Sequence, residues 1–217
     1  MPVILPGETD IYALTDSRLS LGRPLEIVVR ALLEAGVKIL QYREKKASGA
    51  KMLEECSLLR RLTQEYDACF IVNDHLDLAL LSHADGVHLG QDDIPVNEAR
   101  KLAGKNMCLG VSTHSPAQAL EAVKKGADYI GVGPIFSTQT KEDVVAPVGL
   151  TYLEWVRDNI RLPFVAIGGI KAHNIGVVAS HGAKCCAMVS ELVGAEDISA
   201  KAAEARRAMS QGLKNPV

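Results

Sequence analysis

The stretch FIVNDHLDLALLSHADGVHLGQDD, Phe70 to Asp93, decides the fold. It contains two short apolar runs, Phe70-Ile71-Val72 and Gly86-Val87-His88-Leu89, each of strand length. A short amphipathic helix, His75 to Ser82, fits between them, with Leu76, Ala79 and Leu80 on one face. A strand–helix–strand crossover makes the two strands parallel neighbours. Each strand ends in polar residues: Asn73-Asp74 after the first and Gln91-Asp92-Asp93 after the second. Asp74 and Asp93 therefore fall past the same ends of adjacent strands. Two carboxylates so placed can hold a hard cation such as Mg²⁺, which takes oxygen ligands. On these residues alone a plainer reading stands somewhat ahead, in which Asp74 caps the helix and Asp92-Asp93 form a turn.

The same alternation repeats along the chain. Strands are expected at Ile11–Thr15, Ile39–Arg43, Phe70–Asn73, Gly86–Gly90, Cys108–Ser112, Tyr129–Gly133, Phe164–Gly168 and Cys185–Ser190. Helices are expected between them, the last from Asp197 to Ser210. Gly36, Gly104, Gly126 and Gly182 follow four of these helices, where a left-handed C-cap is wanted. Eight strand–helix units spanning residues 1–217 imply an α/β fold, a single-domain (β/α)8 TIM barrel. An open doubly wound sheet ranks second, because no GxGxxG opens a helix.

Composition narrows the function. A net charge of −2 over 217 residues argues against broad binding to nucleic acid or to an anionic membrane. Aromatics are 4% and offer no stacking strip for bases. Apolar runs fall short of a membrane span, and the N-terminal MPVILPGETD does not read as a secretory signal. The five cysteines form no CxxC pair, and adjacent Cys185 and Cys186 point to opposite faces of a strand. They read as small core residues in a reducing cytoplasm. A homo-oligomer is compatible with the sequence but nothing in it specifies one.

In such a barrel the active site lies at the C-terminal strand ends. The chain places Thr15-Asp16, Gln41, Arg43-Glu44-Lys45-Lys46, Asn73-Asp74, Gln91-Asp92-Asp93, Ser112-Thr113-His114, Gly168-Gly169 and Ser190 there. The strand starts carry far less: Lys38, Gly86, Asp128 and Lys184. Gly168-Gly169 would let backbone amides approach an anion, and Ser190 adds a hydroxyl, so phosphate is indicated. A tight turn without ligand explains the two glycines about equally well. Arg43, in or at the end of a strand, needs a partner for its charge, whereas Lys46 is more simply a solvated surface residue. A metal beside lysines suits a pyrophosphate better than a monophosphate. The long polar loop around residues 134–148 fits a lid that excludes water. His88 is more simply a packed, hydrogen-bonded residue, and His114 belongs to a helix start. Neither has an obvious orienting acid, which argues against hydrolysis or acid–base isomerisation. Trp155 is most simply core.

The motifs Tyr12-Ala13-Leu14-Thr15-Asp16, Gln41-Tyr42-Arg43-Glu44-Lys45, Asn73-Asp74, Ala84 through Gln91, Gly110-Val111-Ser112, Gly126 through Gly131, Thr140-Lys141, Ala166 through Ile170 and Val189-Ser190 run in order over nearly the whole chain. With these motifs the chain resembles the thiamine phosphate synthase (thiamin-phosphate pyrophosphorylase) family. That resemblance implies a transferase of thiamine biosynthesis. It would join 4-amino-2-methyl-5-(diphosphooxymethyl)pyrimidine to a thiazole phosphate, or its carboxylated form, and release pyrophosphate. It implies that Gln41, Tyr42, Arg43, Glu44 and Lys45 hold the pyrimidine diphosphate, with Asn73, Ser112 and Lys141 on its pyrophosphate. It implies Asp74 and Asp93 as ligands of one Mg²⁺, with the role of Asp92 open. Thr138, Gln139, Thr140, Gly169, Val189 and Ser190 would hold the thiazole phosphate, and Lys141, Arg43 and Lys45 would be catalytic. The chemistry would be dissociative: the electron-rich pyrimidine stabilises a methylene cation as pyrophosphate leaves, and no general base is required. A thiazole tautomerase of the same ancestry shares Gln41–Lys45 and Ala166-Ile167-Gly168-Gly169-Ile170. It typically lacks the second metal acid and the Thr138–Lys141 pattern. A non-catalytic barrel that binds a phosphorylated metabolite is the alternative from another class, and paired metal acids argue against it.

Overall fold

The structure, a computed structural model, describes residues 3–138, 140 and 145–217. Its strands are β1 (Ile11–Leu14), β2 (Ile39–Tyr42), β3 (Cys69–Asn73), β4 (Gly86–Leu89), β5 (Cys108–Thr113), β6 (Tyr129–Val132), β7 (Phe164–Ala166) and β8 (Cys186–Met188). Each pairs in parallel with the next, and β8 returns to β1 through Ile11 opposite Cys186, which closes the barrel. The connecting helices are α1 (Leu25–Glu34), α2 (Gly49–Glu65), α3 (Leu76–Leu81), α4 (Val96–Ala103), α5 (Pro116–Lys124), α6 (Gly149–Asn159), α7 (Ile175–Ser180) and α8 (Ser190–Val193). A last helix, α9 (Ile198–Lys214), runs four residues further than the sequence pattern indicates. The (β/α)8 barrel expected from the sequence is the fold observed. Among the described residues no helix is long and apolar enough to cross a membrane.

Strand periodicity divides the core into two layers. Tyr12, Leu14, Ile39, Ile71, Tyr129, Val165 and Ala187 pack together inside the barrel. Ile11, Ala13, Leu40, Phe70, Val72, Val87, Leu109 and Ile130 pack outward against the helices. Cys185 and Cys186 fall in opposite layers, as strand alternation requires. Val3, Ile4 and Leu5 pack against the inner layer. Helix α1 meets the outer layer with Val28, Val29, Leu32 and Leu33, a helical spacing. The inner face continues toward the C-terminal ends as Gln41, Asn73, His88 and Ser112, so the same alternation that builds the core delivers polar groups to the mouth.

Gly36, Gly104, Gly126 and Gly182 all have positive φ just past their helices, as the C-cap reading expects. Three local features differ from the sequence reading. β7 and β8 stop earlier, because Gly168 (φ 101°) and Gly169 (φ 63°) turn the backbone out of the sheet and Ser190 begins a four-residue helix. His75, not Asp74, is the residue before α3, and it makes no side-chain cap. Asp74 itself adopts φ 63°, in the left-handed region, as the chain leaves β3 with its N–H on His88 O.

Candidate active site

Arg43 extends the inward alternation of Ile39 and Gln41 and lies 5% exposed, beside Asp16 at 3%. A cation so deep needs an anion. Asp16 Oδ2 supplies it, 3.2 Å from Arg43 Nη1. Asp16 also accepts from Arg18 N, Arg18 Nε and Arg18 Nη2, and so opens the short turn Ser17–Leu19. Thr15 Oγ1 receives the Arg43 backbone N–H at 2.9 Å, which ties β1 to the end of β2. Arg43 Nε is buried and has no hydrogen-bond partner among the described residues. One donor of this guanidinium is therefore still to be satisfied, and Arg43 lines the large cavity described below.

The ends of β2, β3 and β4 bring together Lys45, Asp74 and Asp93. Lys45 Nζ donates to Asp74 Oδ2 at 2.6 Å. Asp93 Oδ2 accepts the Gly90 N–H at 2.6 Å. Burial pushes the Asp93 carboxyl above the usual range, the Gly90 N–H pulls it back, and the Asp74 charge raises it again. A carboxylate whose proton affinity is raised by a neighbouring carboxylate belongs to a donor set that a hard divalent cation would relieve. Among the described residues no group of three or more His, Cys, Asp or Glu could hold a metal. An ion here would have to complete its shell with water and substrate oxygens, which is the habit of Mg²⁺. The residues present therefore fit Mg²⁺.

The remaining strand ends surround a cavity of about 620 Å³. Ser112 and His114 from β5 and its loop, Thr138 and Thr140 after β6, Gly169 after β7, and Val189 and Ser190 after β8 all line it. The loop after β6 is docked along β7: Ile135 N donates to Ile167 O and Phe136 N to Gly168 O. A Cβ on Gly168 would stand 2.4 Å from Pro134 Cβ, and one on Gly169 would stand 2.5 Å from Ser137 O. The two glycines are therefore needed for this close backbone approach, whatever ligand the amides meet. Thr140 N and Thr140 Oγ1 both lie within hydrogen-bond reach of Thr138 Oγ1. Arg18 Nη2 donates to Thr140 O at 3.1 Å, joining this loop to the Asp16–Arg43 pair.

Gln41, Asn73, His88 and Ser112 line a second, small cavity of about 20 Å³. It shares Leu14, Ser112, Gly131, Ile167 and Ala187 with the large one and so forms its floor. His88 is packed and hydrogen-bonded inside the barrel, as its mid-strand position suggests. His114 precedes the cap of α5, with Nδ1 2.5 Å from Gly133 O.

The structure thus gathers most of the residues singled out from the sequence, but not all. Tyr42 turns to the outer layer, where its hydroxyl donates to Glu55 of α2 at 2.6 Å. Glu44 accepts from Ser17 Oγ and from the N–H groups of Lys45 and Lys46, bonds that outweigh burial and hold its carboxyl below the usual value. Neither residue lines either cavity. Gln139 and Lys141 lie outside the described residues. The sequence reading assigned no role to Arg18 or to the Asp16–Arg43 pair. The available signal was Asp16 at a strand end, two residues before an arginine.

Comparison with known proteins agrees with this geometry. A family model described as thiamine monophosphate synthase matches residues 11–192. Curated thiamine-phosphate synthases are similar over nearly their full lengths. That of Lawsonia intracellularis is 55% identical, covering 96% of this chain and 98% of its own. That of Pelotomaculum thermopropionicum is 59% identical, covering 94% of each. The solved thiamine phosphate pyrophosphorylase of Pyrococcus furiosus is 40% identical with a TM-score of 0.85, covering 94% of this chain and 96% of that one. A 3-hexulose-6-phosphate synthase structure, 20% identical with a TM-score of 0.65, shares the fold alone. The family match takes in all eight strands and the loops that carry the cavity, so the chain belongs to the thiamine-phosphate synthase family and is an enzyme, a transferase.

Proposed function

We propose that this chain joins an aminopyrimidine methyl diphosphate to a thiazole phosphate, or its carboxylated form, and releases pyrophosphate. The observation that carries this reading is the pairing of a Lys45–Asp74–Asp93 cluster with a large cavity at adjoining strand ends. The first suits a diphosphate, and the second has room for a second phosphorylated ring. Gln41 on the floor would hold the pyrimidine end, with Asn73 beside it on the pyrophosphate. Arg43, whose Nε has no partner among the described residues, and Ser112 would meet the diphosphate. Lys45 would donate to its leaving oxygens. By the motif match, Lys141 would approach the same group from the loop after β6. Thr138, Gln139, Thr140, Gly169, Val189 and Ser190 would hold the thiazole phosphate.

The bond between the pyrimidine methylene carbon and the diphosphate oxygen breaks first, and both electrons leave with pyrophosphate. The amino-substituted ring spreads the resulting positive charge. Fixed cations act where charge grows on the leaving group, which is where electrostatic help lowers a barrier most. Asp74 and Asp93 would hold Mg²⁺, which when bound supplies further positive charge to the diphosphate. The thiazole nitrogen then gives its lone pair to the methylene carbon. No proton need be removed in these two steps, so no general base is required. The loop around residues 134–148 would serve as a lid against water. The five buried, unpaired thiols suit the cytoplasm as the place of action.

The test is pyrophosphate release by the purified chain. Release that needs both substrates and Mg²⁺ is expected. Release with the pyrimidine diphosphate alone, or none with both, overturns the reading; isomerisation of the thiazole phosphate would then move the chain to a tautomerase.

A further inference from the structure

A row of polar groups crosses the barrel interior beneath the cavity. Gln41 Nε2 donates to Tyr12 Oη at 2.8 Å. Tyr12 Oη lies 2.8 Å from Tyr129 Oη. Tyr129 Oη lies 3.0 Å from His88 Nδ1, and His88 Nε2 lies 3.0 Å from Ser112 Oγ. The five residues come from five different strands, β2, β1, β6, β4 and β5. Both tyrosines are fully buried, and burial raises both hydroxyl pKa values far above their ordinary value, so both stay protonated. Gly110 makes the room: a Cβ there would stand 2.2 Å from Tyr129 Cζ.

A buried O–H left without an acceptor is costly, so each proton in the row needs a partner. Tyr12 Oη already receives the Gln41 N–H. Among the described residues its hydroxyl has no hydrogen-bond partner besides Gln41 and Tyr129, so its proton goes to Tyr129. Tyr129 must then donate to His88 Nδ1, which leaves that nitrogen bare and puts the ring proton on Nε2. His88 Nε2–H donates to Ser112 Oγ, and the serine proton remains for whatever fills the site. At the other end Gln41 Oε1 remains as an acceptor. Running the row in reverse would turn the Gln41 amide over and make Ser112 spend its proton on His88.

We propose that Tyr12, Tyr129 and His88 act together as positioning residues: they fix neutral His88 as the Nε2–H tautomer and so present an acceptor at Gln41 to the pyrimidine and a donor at Ser112 to the diphosphate. The choice of ligand rests on the function proposed above; the direction of the row does not. The two ends are coupled, because turning one hydrogen bond around turns them all. This explains why a tyrosine pair with no reach to the large cavity sits at the centre of the barrel.

The experiment is nitrogen-15 NMR of histidine-labelled full-length protein without substrates, at about pH 8, where an ordinary imidazole is neutral. His88 is assigned by comparison with His88→Asn. The expected result is a proton on Nε2 and a bare Nδ1. Tyr129→Phe removes the donor to Nδ1, so its His88 signals should move toward a mixture of tautomers. Tyr12→Phe leaves the Tyr129 donor in place and should keep Nε2–H. In pyrophosphate release, Tyr129→Phe should lower kcat/KM roughly 10–100-fold, a loss of about one to three kcal/mol. His88 protonated on Nδ1 in the native protein, or an Nε2–H that Tyr129→Phe leaves unchanged, overturns the proposal. Should Tyr129→Phe fail to fold, the native tautomer and its persistence in Tyr12→Phe decide. Since the tautomer is read without substrate, a failure of the assigned activity would leave that result intact and distinguishable.

Discussion

Asp16 makes Arg43 tolerable inside the barrel. Its carboxylate meets Arg43 on one side and Arg18 on the other, and both Asp16 and Arg43 are almost completely buried. Removing one partner of a buried pair strands the other, and the stranded charge sets the cost. Asp16→Ala should therefore lower the unfolding free energy by about 3–5 kcal/mol. The midpoint of urea unfolding checks this; a drop within that of an ordinary surface substitution would show that Arg43 is solvated. The sequence made Arg43 visible, because a strand periodicity that points inward at Ile39 and Gln41 must also point inward at residue 43. It did not make its partner visible. Which acid meets a strand-end cation depends on the lateral register of β1 and β2, and no local pattern encodes that register. The same holds for Tyr12 and Tyr129, whose meeting depends on which strands face each other across a closed barrel. Lys45 and Asp74, by contrast, were legible as members of the strand-end set, and the φ of 63° at Asp74 was not, since aspartate tolerates that region better than most residues but adopts it at few of its positions.

At the scale of elements, the site depends on how the loop after β6 lies against the exit of β7. Gly169 sits at φ 63°, with Ser137 O where a Cβ would be. Gly169→Ala forces both a left-handed backbone on a substituted residue and a retreat of the loop. The expected outcome is a loss of about 1–3 kcal/mol in stability by thermal or urea unfolding. It should be accompanied by a rise in KM for the thiazole phosphate proposed as substrate, larger than the fall in kcat, because Ser137 and Thr138 wall the cavity. An unchanged KM would separate this loop from that substrate. The sequence reading placed Gly168-Gly169 at the strand end and weighed a turn against an anion site. The structure supplies a third demand, close backbone packing, which a dipeptide cannot reveal. α8 was hidden for a related reason: four residues carry too little periodicity to separate a helical turn from a strand end.

For the whole molecule, the two-layer core governs the thiols. All five cysteines are free and buried. Burial pushes Cys56, Cys108 and Cys185 up to about 12. The thiolate is the reactive form, so the native protein should be nearly inert to a thiol reagent and should yield five thiols on denaturation. Rapid labelling of any one in the native state would show an opening of that layer. The sign for stability follows from linkage. A thiol whose folded pKa is raised binds its proton more tightly in the native state than when unfolded. This contribution is intact below the unfolded thiol value of about 8.5 and is lost progressively as pH rises toward about 12. Urea midpoints measured upward from neutral pH should fall on the alkaline side. The barrel was the most legible feature of all, because eight repeats of one short apolar run and one helix leave few other ways to bury both faces of a parallel sheet.

The seam of the barrel joins the beginning of the chain to its end. β1 pairs with β8, and Arg206 of α9 donates to Asp10, just ahead of β1, and to the carbonyls of Ala35 and Gly36. A chain emerging from the ribosome thus presents its first strand long before that strand's second partner has been made. Until β8 arrives, the growing sheet is an open ribbon with two bare edges, each a template for pairing with another nascent chain. A ribosome halted before Cys186 would hold a species with both strand-end carboxylates, Asp74 and Asp93, and no means of closing around them. Such a species should be captured by chaperones, and release of only the last few dozen residues should be enough to free it.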